Sequence, residues 1–155
     1  MRAYDGIKAE PGRKVNLETP DFLEHARQLL SRSIRLEVRM SGGSMRPAIE
    51  EGDVITIEPV SETPVRAGDV VLYQSRYDTA VIHRVVRIDR SAGERLVITR
   101  GDAALQNDPP VPIARILGRV QLIQRAGEPI EMRRPKPKIT LALLTFIRRL
   151  KFWQK

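Results

Sequence analysis

Four side chains in the middle of the chain carry the groups of a nucleophilic hydrolase, in the order Ser, His, Asp. Ser44 follows two glycines in SGGSMRP, His83 lies in VIHRVV, and Asp102 and Asp108 both lie in RGDAALQNDPP. A serine hydroxyl becomes a nucleophile when a histidine accepts its proton, and a carboxylate can orient that histidine. The residue types therefore predict acyl transfer, if the fold brings them together.

The loop around Ser44 is suited to a peptide substrate. Gly42 and Gly43 give the backbone conformations that are closed to other residues and allow a substrate to approach closely. The main-chain N–H of Ser44 is a candidate donor to an oxyanion. We expect Ser41, Gly42, Gly43 and Met45 to form the substrate-binding side of this loop. The alternative, an ordinary loop serine, stays open on spacing alone.

His83 is the candidate base. In an alternating strand it shares a face with Val81 and Val85, and an apolar face favours the neutral imidazole that a general base requires. A buried histidine bonded to a backbone carbonyl is the alternative. A lysine base is excluded in the central region, because no lysine occurs between Lys14 and Lys136.

The elements that must position these residues are mostly strands. Short runs rich in β-branched residues, separated by Gly, Pro and Asp, predict strands at 35–40, 54–60, 70–74, 80–88, 95–100 and 116–124. A Thr-Pro-Asp sequence at 19–21 predicts the start of a short amphipathic helix that ends near residue 33, with His25 on its surface. We expect a mainly β fold: a compact, antiparallel, barrel-like domain.

The positive charge of the chain is concentrated at its C-terminal end. The net charge is +8, and residues 133–155 contain basic residues but no acidic one. After the extended Pro135–Pro137 segment, residues 139–153 predict a short amphipathic, basic helix. It suits an anionic membrane surface, and equally a helix docked on the β domain.

Three segments follow: a flexible leader at 1–18, a β domain with its N-terminal helix at 19–131, and a basic tail at 132–155. The chain shows no signal peptide and no apolar run near the roughly 20 residues that span a bilayer. We therefore expect a cytoplasmic protein, held peripherally at the inner membrane face.

The absence of cysteine excludes disulfides and thiolate chemistry, and with only two histidines we expect no metal or other cofactor.

The motifs together resemble signal peptidase I of the endoplasmic-reticulum and archaeal (Ser-His-Asp) type, within the clan that also includes LexA-type repressors. SMRP followed by Gly-Asp at 52–53 is similar to the serine box, VIHRVV to the histidine box, and Gly-Asp with a second Asp six residues later to the aspartate box. The resemblance covers residues 36–124. It implies that Asp108 orients His83, that Asp102 is supportive, and that small residues precede the cleaved bond. It departs at Gly42, where the family commonly has a serine that assists the oxyanion hole.

The expected function is a serine endopeptidase that cleaves a leader or signal-like peptide. The first alternative is an inactive relative that binds a peptide or a membrane. LexA-like self-cleavage at an Ala-Gly bond (67–68, 92–93 or 126–127) is disfavoured, because those proteins use lysine and carry a DNA-binding helix-turn-helix. Nucleic-acid binding is not expected, because the β domain lacks suitably spaced stacking aromatics.

Overall fold

A computed structural model describes residues 4–8, 14–15, 19–60, 64–90 and 93–130, with side chains from residue 21 onward. The strands are β1 (Tyr4–Lys8), β2 (Lys14–Val15), β3 (Leu36–Met40), β4 (Val54–Pro59), β5 (Val70–Gln74), β6 (Ala80–Asp89), β7 (Leu96–Arg100), β8 (Val111–Pro112), β9 (Ile116–Arg125) and β10 (Glu128–Ile130). One α-helix, α1 (Thr19–Ser31), precedes β3, and a single 3-10 turn (Ile113–Arg115) precedes β9.

The strands form one antiparallel sheet in the order β2-β1-β3-β4-β9-β5-β6-β7-β8, with β10 paired to β9. The mainly β, antiparallel prediction with an N-terminal helix is confirmed. The expected barrel-like closure is not seen, because the two ends of this path are the two-residue strands β2 and β8, which do not pair with each other among the described strands. The sheet is therefore open.

The six predicted strands occur within about two residues of their expected ends, since each has a clear apolar pattern bounded by turn residues. Within the segment predicted as a flexible leader, Tyr4–Lys8 instead forms a strand that pairs with β3 and with β2. The short strands β8 and β10 were also not expected. The predicted C-terminal helix at 139–153 lies outside the described residues.

Two apolar clusters lie on the two faces of the sheet. The helix α1 contributes one side to the larger cluster. The buried residues of that side are Phe22, Leu23, Ala26 and Leu30. Gly118 of β9 permits this contact, since a Cβ there would lie only 3.1 Å from the Leu30 Cδ1 atom and 2.5 Å from the Ile57 Cγ2 atom. The smaller cluster comprises Val65, Val71, Tyr73, Val85, Val97, Val111 and Ile116.

Strand β6 contributes to both clusters, because successive side chains of a strand point to opposite faces. Ile82 is in the larger cluster and Val85 in the smaller one. His83 therefore lies on the face of the smaller cluster, with Val85, and Arg84 lies on the opposite face, with Ile82. Because of this alternation, the neighbouring residues His83 and Arg84 contact different groups, Asp108 and Asp102.

Two Gly-Asp turns of the same geometry start β4 and β5. Gly52 and Gly68 have φ angles of 88° and 94°, which favour glycine. The carboxylates of Asp53 and Asp69 each accept the backbone N–H of the residue three positions earlier, at 2.8 and 2.9 Å. Asp53 is buried and also accepts two hydrogen bonds from Arg125, which hold the pKa of the Asp53 carboxyl below its usual value despite burial. This turn fixes the end of the loop that carries Ser44.

Candidate active site

His83 and Asp108 form a direct hydrogen-bonded pair. The His83 Nδ1 atom lies 2.7 Å from the Asp108 Oδ2 atom, and both side chains are largely buried. Burial alone would raise the pKa of Asp108, but hydrogen bonds from His83, Thr99 and Tyr73 outweigh it and hold that pKa below its usual value. The carboxylate is then ionised at neutral pH and can only accept, so Nδ1 carries a ring proton, and in the neutral form of the imidazole Nε2 is an acceptor.

Thr99 and Tyr73 fix the carboxylate of Asp108 from the two neighbouring strands. The Thr99 Oγ1 atom donates to the Asp108 Oδ2 atom at 2.8 Å, and the Asp108 N–H donates to the Thr99 carbonyl at 2.8 Å. Tyr73 is buried, and burial together with the negative charge of Asp108 raises the pKa of its hydroxyl. Tyr73 therefore stays protonated and donates to the carboxylate.

The Ser44 loop is anchored in the core by residues that follow the serine. Gly42 has a φ angle of 89°, the left-handed region that glycine adopts readily. Met45 is only 2% exposed and, with Ile49, is part of the larger apolar cluster. The Ile49 N–H donates to the Met45 carbonyl at 3.0 Å. Because its side chain is in the core, Met45 can contact a substrate only through its backbone.

Gly101 joins the Ser44 loop to His83. A Cβ atom at Gly101 would lie 2.6 Å from the Ser44 carbonyl oxygen and 3.1 Å from the His83 Nε2 atom. The Ser44 carbonyl also accepts the N–H of Ala103 at 3.0 Å. The backbone of the candidate nucleophile and the acceptor nitrogen of the candidate base therefore lie against the same glycine.

Asp102 lies near this junction but contacts Arg84 rather than His83. The Arg84 Nε and Nη2 atoms donate to the two carboxylate oxygens of Asp102 at 2.8 and 2.6 Å, a two-point ion pair. The Arg84 Nη1 atom also donates to the Gly68 carbonyl at 3.0 Å. Asp102 thereby anchors the start of the loop at 101–108, while Asp108 at its end contacts His83.

The family model for Peptidase S24-like proteins matches residues 12–120. The chain belongs to the Peptidase S24-like family. Together with the relatives described next, this match confirms the predicted relationship to signal peptidase I within its clan.

Three curated relatives of this S24-like chain are catalytic subunits of the signal peptidase complex. It is 36% identical over 72 residues to SEC11 of Lachancea thermotolerans, covering 44% of this chain and 42% of that protein. It is 34% identical over 62 residues to human SEC11C, covering 39% and 32%, and 33% identical over 87 residues to SEC11 of Yarrowia lipolytica, covering 56% and 48%. The chain thus spans less than half the length of these relatives.

The S24-like chain brings together most of the residues predicted from the sequence. His83 contacts Asp108 directly, and the Ser44 backbone lies against Gly101 beside the His83 ring. Asp102 instead pairs with Arg84. Asn107, which directly precedes Asp108, is exposed. No group of three His, Asp or Glu side chains within the described ranges could hold a metal ion.

Three contributors were not predicted: Tyr73, Thr99 and Arg84. Tyr73 and Thr99 lie on the His83 face of their strands, so strand alternation together with the correct pairing register is the signal that could have found them.

No helix in the described part of the S24-like chain is long and apolar enough to cross a membrane.

Proposed function

We propose that this S24-like chain is a serine endopeptidase that cleaves a leader or signal-like peptide through an acyl-enzyme. Ser44 is the nucleophile, His83 the general base and acid, and Asp108 the residue that orients His83. The proposal rests on one observation: His83 donates through Nδ1 to Asp108 at 2.7 Å, while its Nε2 atom lies at Gly101 beside the Ser44 backbone. This arrangement aims the free lone pair of a neutral imidazole toward the serine loop.

In the first half of the reaction, the Ser44 Oγ atom attacks the carbonyl carbon of the scissile bond and its proton passes to the His83 Nε2 atom. The imidazolium is stabilised by the ionised Asp108. The tetrahedral oxyanion accepts the main-chain N–H of Ser44. The C–N bond then breaks, and Nε2 gives its proton to the leaving amine, which leaves an ester on Ser44.

In the second half, water attacks the ester carbonyl and His83 accepts a proton from it. The C–O bond to Ser44 breaks, the proton returns to the Ser44 oxygen, and the new carboxyl end is released. Arg84 and Asp102 act as positioning residues, because their ion pair holds the turn whose Ala103 N–H binds the Ser44 carbonyl.

An extended peptide has a backbone edge to pair with beside this site. Strand β7 pairs with β6 only from Arg84 onward, so the stretch from Val81 to His83 has a strand neighbour on one side only, β5, among the described strands. Addition of a peptide strand to such an edge supplies main-chain hydrogen bonds independently of sequence. The names of the SEC11 relatives support a signal-like peptide as the substrate.

The charge of the tail supports a position at a membrane surface. Residues 133–155 carry basic side chains and no acidic one, which favours attraction to anionic lipid headgroups. We propose that this segment holds the peptidase peripherally at the cytoplasmic face of a membrane. Co-sedimentation with vesicles that contain phosphatidylserine, compared with neutral vesicles, tests this attachment separately from catalysis.

Cleavage of a peptide library, followed by mass spectrometry, tests the catalytic proposal. We expect the natural protein to cleave a subset of peptides, and Ser44→Ala to lower the rate by about 10⁴-fold or more. Ser31→Ala is the matched control, because Ser31 lies at the end of α1 and bonds only to the helix, through the Gln28 carbonyl at 2.9 Å. Equal cleavage by the natural protein and Ser44→Ala would refute the assignment of the nucleophile.

A further inference from the structure

A groove of about 170 Å³ opens beside His83 and Asp108 and extends to the tip of the β5–β6 hairpin. Its surface is mostly apolar, and its apolar walls are formed by Tyr73, Val81, Pro109 and Val111. Small-molecule sites usually measure about 300–1,000 Å³. This space, which we call the tip groove, therefore fits a single side chain better than a separate ligand.

The hairpin tip that borders the tip groove is held rigidly. The Ser75 N–H donates to the Thr79 carbonyl at 2.9 Å, and the two hydroxyls of these residues lie 2.6 Å apart. The Arg115 Nη1 atom donates to the Ser75 carbonyl at 2.7 Å. Asp78 has a φ angle of 56° and pairs with Arg115 at 3.3 Å. The side chains at the tip are thus presented from a fixed backbone.

Arg76 and Tyr77 form the mouth of the tip groove. The Arg76 guanidinium carbon lies 4.7 Å from the centre of the Tyr77 ring, and an Nη2 atom donates to the Tyr77 hydroxyl at 2.5 Å. Tyr77 remains 70% exposed, so its ring gains little burial within this chain. A guanidinium has five N–H donors, and the tyrosine hydroxyl accepts only one bond from it. Arg76 therefore keeps donors that can bind a carboxylate.

We propose that the tip groove is a specificity subsite of the peptidase: it seats a large apolar side chain of the substrate, and Arg76 pairs with an acidic substrate residue beside it. The inference rests on the proposed function, because the groove begins at the candidate base. The tip groove has a negative charge at its inner end and a positive charge at its mouth. Asp108 makes the inner end unfavourable for an acid, whereas Arg76 makes the mouth favourable.

The length of the tip groove limits where these substrate residues lie. Val81 precedes His83 on the same face of β6, and Thr79 lies just before the start of this strand. Same-face residues of a strand are about 7 Å apart. The groove thus extends about 13 Å from the candidate base, which corresponds to about four residues of extended peptide. The preferred apolar and acidic residues should therefore occur within about four positions of the cleaved bond.

The first test compares cleavage profiles from a peptide library in which acidic, basic and apolar residues are sampled equally at every position. For the natural protein we expect a roughly three- to fivefold enrichment of Asp and Glu at one position, equivalent to about 0.7–1 kcal/mol at 1.4 kcal/mol per tenfold. This is the range of an exposed ion pair. Arg76→Glu should exchange this preference for Lys and Arg.

Matched variants separate the tip groove from general effects. Tyr77→Ala should lower the preference for the large apolar residue by about threefold, whereas Tyr77→Phe, which keeps the ring, should retain it. Arg32→Glu makes the same charge reversal at the end of α1, on the opposite face of the sheet, and should leave the profile unchanged. A natural profile that is unchanged in Arg76→Glu and Tyr77→Ala would overturn the inference while the peptidase proposal stands.

Binding of the same peptides, as an array, to the Ser44→Ala protein gives a readout without catalysis. Selective retention of peptides with an acid next to a large apolar residue, lost when Arg76→Glu is added, would support the tip groove even if the natural protein cleaved nothing. Absence of selective retention, together with absence of cleavage, would refute both proposals. Cleavage that Ser44→Ala retains would refute only the nucleophile.

Discussion

Replacement of Gly101 by alanine tests whether the Ser44 loop and His83 work together. The new Cβ atom would lie 2.6 Å from the Ser44 carbonyl oxygen, whereas real Cβ atoms essentially never approach a neighbour closer than 3.0 Å. The obstructing atom belongs to backbone, so it cannot rotate away. The Ser44 loop and the Gly101 turn must therefore separate by about 0.4 Å or more. The same methyl group would lie 3.1 Å from the His83 Nε2 atom.

The size of the effect follows from this displacement. A misplacement of about 1 Å between reacting groups can cost about 10²-fold in rate, so a shift near half of that distance should lower kcat roughly tenfold. Overpacking should also lower the free energy of unfolding by about 1–3 kcal/mol. The bond from the Ala103 N–H to the Ser44 carbonyl, 3.0 Å long, should lengthen with the shift.

The assay is kcat on the best library peptide, with the folded fraction determined in the same buffer by circular dichroism. Gly118→Ala is the matched control, because its Cβ would meet the Ile57 Cγ2 atom at 2.5 Å on the opposite face of the sheet. It should cost stability of the same order but leave kcat per folded molecule within about twofold. If Gly101→Ala keeps the natural kcat per folded molecule, the approach of Ser44 to His83 at this glycine is not the basis of activity.

Three further predictions concern the charges and hydrogen bonds around the site. Thr99→Val removes a donor at 2.8 Å from Asp108, so the free energy of unfolding should fall by about 1–2 kcal/mol and kcat/KM by several-fold, as measured by urea titration and peptide cleavage; unchanged values would contradict the role of this bond. Asp53 and Asp108 have folded-state pKa values below their ordinary 3.8, so the stability they contribute is complete above the unfolded pKa and is lost as the pH falls through the folded pKa. Urea titrations from about pH 6 to about pH 2 should show this fall in the free energy of unfolding, and the fall should be smaller in Asp53→Asn. An equally large fall in the variant would contradict the contribution assigned to Asp53. Asp102→Ala leaves Arg84, which is only 5% exposed, without its carboxylate, so the free energy of unfolding measured by urea titration should fall by about 3 kcal/mol. Adding Arg84→Met should recover part of this loss, because it removes the unpaired buried charge. If the double variant instead loses the sum of the two single losses, the ion pair does not have this role.

The strands of this protein were predictable because each has a local pattern. Val70–Gln74 occurs as predicted, since Gly-Asp precedes it and a polar turn follows it. Strands β1 and β8 were not predictable in the same way. Residues 4–8 are mostly polar and β8 has two residues, so their pairing depends on partners that are distant in sequence.

The candidate site was predictable in its residue types but not in its supporting contacts. The position of His83 beside Val85 follows from alternation within one strand. That Thr99 and His83 both reach Asp108 depends on the register between β6 and β7, which includes an irregularity between Val85 and Arg87. Register is set by the packing of whole strands, so sequence alone did not give Asp108 its additional donors.

Adjacent residues of β6 hold both ends of the loop at 101–108. Arg84 binds Asp102 at its start and His83 binds Asp108 at its end, while Leu105 at its centre is 96% exposed. The two anchor points thus belong to one rigid strand and do not depend on the residues between them. The fold therefore separates the geometry of the site from the length of this loop, so residues 105–107 are a place where the chain can accept insertions or an added recognition segment without altering its chemistry.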